Sequence, residues 1–210
     1  MAINSRDLAL KTWLASYFLC KNIRLHALTG DAGFRRYFRF EINNTSYIAV
    51  DAPPDKSNNR GFVAMQSAFF KQGIVTPDII ACDLEQGFFC LSDLGSLLLA
   101  DKLTPVSMTE YYQQAINLLP NVAKTNISTN DNYELPIYNK AFIELELSIF
   151  SEWLIDKYLA IPLTDNDKKQ LAQCFSVLIE NALCQPQVTM HRDFHSRNLM
   201  LVTDKSTNQT

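Results

Sequence analysis

His191-Arg192-Asp193-Phe194-His195-Ser196-Arg197-Asn198 is the stretch on which the reading of this chain turns. It spells H-R-D-x-x-x-x-N. A carboxylate and a carboxamide stand five residues apart, and a loop that short can turn both onto one reacting group. Asp193 is then placed to take a proton from a hydroxyl. Asn198 is placed to hold a hard divalent cation through its amide oxygen. The plainer alternative is a surface loop with a basic dipeptide and a helix-capping aspartate. In either reading His191 packs and hydrogen-bonds rather than reacts.

Working outward, 188–190 and 199–202 are short apolar β-prone runs, so the loop is expected between two strands. Leu171, Phe175, Leu178 and Ile179 recur at helical spacing, which predicts a helix over 165–183. Further helices are predicted over 8–20, 62–71 (with Gly73 at its end), 108–124 and 139–159. Strands are predicted over 23–28, 35–42, 47–50, 79–82 and 88–91, with turns at Asn43-Asn44 and Glu85-Gln86-Gly87. Residues 92–95 read as a hinge. Strands first and helices second give an α+β protein. Its expected division is a small sheet lobe, 1–92, and a helical lobe, 93–210.

Composition narrows the class. The chain has 210 residues, 47% apolar and 20% charged, which is ordinary for a soluble globular protein. A net charge of −3 argues against a general nucleic-acid binder. The five cysteines form no C-x-x-C pair, which argues against a zinc site or a disulfide framework and suits buried thiols in a reducing compartment. No long apolar run marks a signal peptide or a membrane span, so a cytoplasmic protein is expected.

Near the start, Gly30 and Gly33 permit a tight turn, which is either an ordinary hairpin turn or one whose backbone N–H groups make a concave anion site. Arg35 and Arg36 follow it and could add cationic forks for phosphate. Alternation along 34–40 puts Arg35, Tyr37 and Arg39 on one face and Phe34, Arg36, Phe38 and Phe40 on the other. Only one of Arg35 and Arg36 therefore faces a ligand, and the pattern leaves open which. The next strand reads Tyr47-Ile48-Ala49-Val50-Asp51, followed by Ala52-Pro53-Pro54.

H-R-D-x-x-x-x-N resembles the catalytic loop of protein kinases. Combined with Phe34-Arg35-Arg36-Tyr37-Phe38-Arg39 and Asp51-Ala52-Pro53-Pro54, it resembles the aminoglycoside-phosphotransferase-like kinases. More narrowly, it is similar to the bacterial anomeric sugar kinases, which phosphorylate N-acetylmuramate and N-acetylglucosamine in cell-wall recycling. The resemblance runs over about 8–201. It implies a two-lobed kinase-like fold using ATP and Mg2+, with a small-molecule amino sugar as acceptor. Asp193 is the implied base and Asn198 the metal ligand. Gly30, Gly33, Phe34, Arg35, Arg36 and the hinge residue Asp93 are the nucleotide side. His195 and Arg197 point to the acceptor or are merely solvated. Glu146 and Trp153, seven apart on one helix face, lie on the implied acceptor-side helix. Trp153 either stacks on a sugar or is a core indole.

Two departures stand out. A protein-kinase strand would end in a phosphate-gripping lysine where this chain has Asp51, and the following helix lacks a glutamate partner. The resembling sugar kinases share that D-A-P-P segment, so another cation, Arg35 or Arg36, is expected on the phosphates. The second metal-binding aspartate, expected after the loop, is also missing. Asp204 sits in a polar turn-like stretch and is a poor replacement. The expectation is a C-terminally incomplete version of such a kinase, with a catalytically inactive nucleotide- or sugar-binding remnant as the alternative.

Overall fold

The structure is a computed structural model that describes residues 5–28, 33–127 and 133–202. Its centre is one antiparallel five-stranded sheet in the order β1-β2-β3-β5-β4. The strands are β1 (His26–Ala27), β2 (Arg36–Ile42), β3 (Thr45–Asp51), β4 (Ile79–Asp83) and β5 (Phe88–Ser92). Asn43 and Asn44 both take positive φ, which closes the two-residue β2–β3 hairpin. The run expected over 23–28 yields only the two-residue β1, because it pairs with β2 on one edge alone.

Period-two alternation sorts the sheet's side chains onto two apolar faces. Phe38, Phe40, Ala49 and Phe88 meet Leu10 and Leu14 of α1 (Ser5–Phe18). Val50, Phe89 and Leu91 meet Phe62 and Val63 of α2 (Asn59–Lys71), with Phe62 edge-on to Phe89 at 5.3 Å between ring centres. Asn58 caps α2 by accepting from the Gly61 N–H at 2.9 Å. The helix ends in a Schellman pair, Ile74 N–H to Phe69 O and Gly73 N–H to Phe70 O, both 3.0 Å.

Helices follow the sheet. Where one helix is expected over 108–124, there are two, α3 (Met108–Ile116) and α4 (Leu119–Lys124). Pro120 is the reason: its ring displaces the carbonyl four residues back and it has no N–H to donate. The helix expected over 139–159 is α5 (Lys140–Ile149) running on into a π-helical stretch, Phe150–Tyr158. The helix expected over 165–183 is α6 (Asp165–Leu183), started by a capping box between Thr164 and Asp167.

By contact, Met1–Glu134 with Thr189–Thr210 form one compact unit and Leu135–Val188 a second. The 92–93 lobe boundary drawn from sequence stands as a proposal beside this grouping, in which α3, α4 and the loop 191–198 go with the sheet. Within the second unit, Phe150 packs edge-on against Phe175 of α6.

Of the five cysteines only Cys90 is buried, and burial pushes its thiol up to about 12. Cys82, Cys174 and Cys184 are exposed, so the expectation of buried thiols holds for one of them. Among the described residues, no helix is long and apolar enough to cross a membrane.

Candidate active site

The loop 191–198 closes on itself through Asp193. The Asn198 side-chain amide donates to Asp193 Oδ2 at 2.7 Å and to the Asp193 carbonyl at 3.0 Å. The Arg197 backbone N–H donates to His195 Nδ1 at 3.2 Å. That leaves the His195 proton on Nε2, which stands 3.0 Å from Asp193 Oδ1. Both carboxylate oxygens are thus held, and the Asp193 side chain is still open to solvent. Arg192, just before it, takes a positive φ of 68°, a conformation rare outside glycine, and this reversal aims Asp193.

The loop is not framed by two strands as expected. The 199–201 segment pairs with 97–99 through a single antiparallel bridge, Leu98 to Met200. Leu99 N–H donates to Leu199 O at 2.8 Å, and Leu201 N–H to Leu97 O at 2.9 Å. The 188–190 segment is not a strand. Its tie is the Thr189 hydroxyl, which donates to Thr125 O at 2.6 Å.

His191 packs, as expected. Its ring stacks on Phe69 of α2 at 6.4 Å and meets Phe194 edge-on at 5.6 Å. Burial pulls its pKa down, partly offset by Asp193. The unfolded chain, with a histidine near pKa 6.5, therefore binds this proton more readily than the folded one. The linked stability is fully present above about pH 6.5 and falls as pH drops through that value. Denaturant midpoints between pH 7.5 and 5 should fall less steeply for His191→Phe than for the natural chain. Equal slopes would show that His191 carries no linkage.

Beside the loop lies a cavity of about 1070 Å3. Asn198 and Arg197 line it from the loop, and Gly33, Phe34 and Arg35 from the approach to β2. Its lining carries three cations, Arg35, Lys56 and Arg197, against one carboxylate, Asp101. A cationic cavity in a chain of net charge −3 selects an anion.

The choice between Arg35 and Arg36 follows from the sheet. Arg36 lies on the α1 face, where its guanidinium donates to Asp51 Oδ2 (Nε 3.0 Å) and pairs with Asp7 at 2.6 Å. Asp51 is wholly buried and also takes Arg6 Nε at 2.7 Å. Arg36 is therefore held on the opposite side from the cavity. Arg35 lies over the Phe62 ring at 4.9 Å, with Asn58 O accepting from it at 3.1 Å.

Asp93 is taken up in the hinge and does not line the cavity. Its carboxylate accepts from Arg39, Ser46 and the Gly95 N–H at 2.6, 2.6 and 2.9 Å. Those bonds hold its pKa low in spite of partial burial, which acts to raise it. Gly30 and Asp204 lie outside the described residues. Glu146 and Trp153 belong to the second unit, where Glu146 accepts from the Tyr138 hydroxyl at 2.7 Å and Trp153 is exposed. Among the described residues the Trp153 indole is not packed into a core. Sequence reasoning missed Lys56 and Asp101; the only signal for Lys56 was a cation closing the D-A-P-P turn.

Among the described residues, no cluster of three or more His, Cys, Asp and Glu side chains could hold a metal alone. The donors present still fit magnesium arriving with phosphate, which asks for one or two hard oxygen ligands from protein. Asn198 uses its amide nitrogen on Asp193, so its amide oxygen is available, and the Asp193 carboxylate stands beside it.

Known proteins resemble this chain over most of its length. The model of a family described as "Phosphotransferase enzyme family" matches residues 24–207. An N-acetylmuramate/N-acetylglucosamine kinase of Pseudomonas aeruginosa is 35% identical over 173 residues, covering 82% of this chain and 50% of that one. One of Pseudomonas putida is 35% identical over 179 residues, covering 85% and 52%. This chain spans about half the length of these curated relatives. The crystal structure of aminoglycoside phosphotransferase APH(4)-Ia superposes with a TM-score of 0.59 at 15% identity, covering 95% of this chain and 68% of that one. That likeness is one of fold.

Proposed function

The chain belongs to the phosphotransferase enzyme family, and on that premise we propose that it moves the γ-phosphoryl group of ATP to a hydroxyl of a small molecule. The acceptor in this reading is the anomeric hydroxyl of N-acetylmuramate or N-acetylglucosamine, and the setting is the cytoplasm. One observation carries the proposal: Asp193 and Asn198 are locked together at 2.7 Å, and Asn198 lines a cationic cavity large enough for a nucleotide.

Phosphoryl transfer asks the protein for position and charge more than for covalent chemistry. Asp193 accepts the proton of the acceptor hydroxyl as its oxygen bonds to phosphorus and the β–γ bridge bond breaks, leaving ADP. Asn198 and His195 fix the carboxylate during that step. Arg35 lies on the nucleotide side and Arg197 beside the transferred group. Magnesium, held by the Asn198 amide oxygen, would offset negative charge on the phosphates. The amino-sugar acceptor is favoured by the names of the two relatives at 35% identity.

A coupled ADP-release assay with each sugar, with and without magnesium, tests the reading on the 210-residue chain. The expected result is ADP release that needs both sugar and magnesium. A folded chain that binds ATP yet gives no sugar-dependent release would instead be a kinase-derived binding protein.

A further inference from the structure

The strand that ends in a lysine in protein kinases ends here in Asp51, turned to the α1 face and closed off by Arg6 and Arg36. Five residues on, Lys56 lines the cavity that Asn198 also lines. We propose that Lys56 supplies the ammonium that neutralises the nucleotide phosphates, an inference that rests on the nucleotide-site reading above.

Lys56 is tied to the sheet although it has left the strand. Its own N–H donates to Pro53 O at 3.0 Å. The Ala52 N–H donates to Gly87 O at 2.8 Å, which joins the start of the turn to β5. Asn59, just past Lys56, donates its buried amide to Ala52 O at 2.8 Å. The turn is thus held at both ends, and two prolines, Pro53 and Pro54, restrict it between. A lysine on such a turn keeps a defined origin and a four-carbon reach.

The charge of Lys56 is also uncommitted. Among the described residues its ammonium meets no carboxylate, and its contact is the face of Phe34 at 5.4 Å. Phe34 is itself 64% exposed and lines the same cavity. The two arginines at the approach to β2 are engaged: Arg35 with Asn58 O and Phe62, and Arg36 with two aspartates. Against those two arginines Lys56 turns to phosphate at the lower cost, since a cation–π contact at an exposed ring is worth only about 0.5–1 kcal/mol.

The test reads affinity against phosphate count. Equilibrium binding of ATP, ADP and adenosine, with magnesium, is compared for the natural chain, Lys56→Ala and Lys56→Arg. Lys56→Ala should weaken ATP and ADP roughly 10- to 100-fold and leave adenosine within about twofold, because a charge-assisted contact to phosphate is lost, with only the weak contact to Phe34 besides. Lys56→Arg should restore most of the loss. Equal ATP affinity in Lys56→Ala and the natural chain would overturn the role of Lys56 while keeping the nucleotide site. A natural chain that binds none of the three would overturn both.

Discussion

Asp193→Asn is expected to lower the rate of ATP-dependent sugar phosphorylation by about 10²–10⁴-fold while nucleotide affinity changes little. The substitution keeps the size of the side chain and one oxygen able to accept from Asn198, now 2.7 Å away. It removes the second acceptor, the oxygen that faces His195 Nε2 at 3.0 Å, and with it the ability to take a proton from the acceptor hydroxyl. The fold should tolerate the change because this side chain is mostly exposed and anchors no apolar packing. The loss therefore belongs in kcat, measured with both sugar and nucleotide saturating, and not in the nucleotide dissociation constant. A kcat within twofold of the natural chain would remove Asp193 from the role of base. A large rise in nucleotide dissociation constant with kcat unchanged would reassign it to binding.

The motif that locates this aspartate is local, and local features were the legible ones. The helix over 165–183 follows from its apolar spacing, and its ends coincide with α6. Strand alternation separated Arg35 from Arg36 but could not say which faced the ligand. That depends on which sheet face α1 covers, a contact set by Leu10 and Leu14 against Phe38 and Phe40, more than twenty residues away in sequence. The partners of Asp93 were hidden for a similar reason. Its partner Arg39 comes from β2, across the sheet, a pairing that sequence spacing does not show. Apolar spacing runs unbroken through 108–124, but Pro120 within it divides the helix in two. The apolar runs around 191–198 have β propensity but little to pair with, so they give one bridge instead of two strands.

Gly87→Ala is expected to cost about 3 kcal/mol or more of stability. Gly87 takes φ +73°, where an L side chain costs about 1–2 kcal/mol. A Cβ there would also stand 2.0 Å from Ala52 O and 2.9 Å from Ala52 C, which are backbone atoms and cannot swing aside. Ala52 is pinned by its bond to Gly87 O and by Asn59, so relief means moving the Asp51-Ala52-Pro53-Pro54 turn itself. Gly73 supplies the control. It has nearly the same φ, +71°, and nothing within 4 Å of its would-be Cβ. Gly73→Ala should carry the conformational cost alone, so the difference between the two variants isolates the close approach. In thermal unfolding that difference should be several degrees, at about 2–4 °C per kcal/mol for a chain of this size. Because the displaced turn carries Lys56, Gly87→Ala should also weaken ATP more than adenosine at temperatures where it remains folded, and Gly73→Ala should not. If the two variants melt together, the Ala52 contact is relieved by a small backbone shift. The turn is then too pliant to hold a lysine for phosphate in the way proposed.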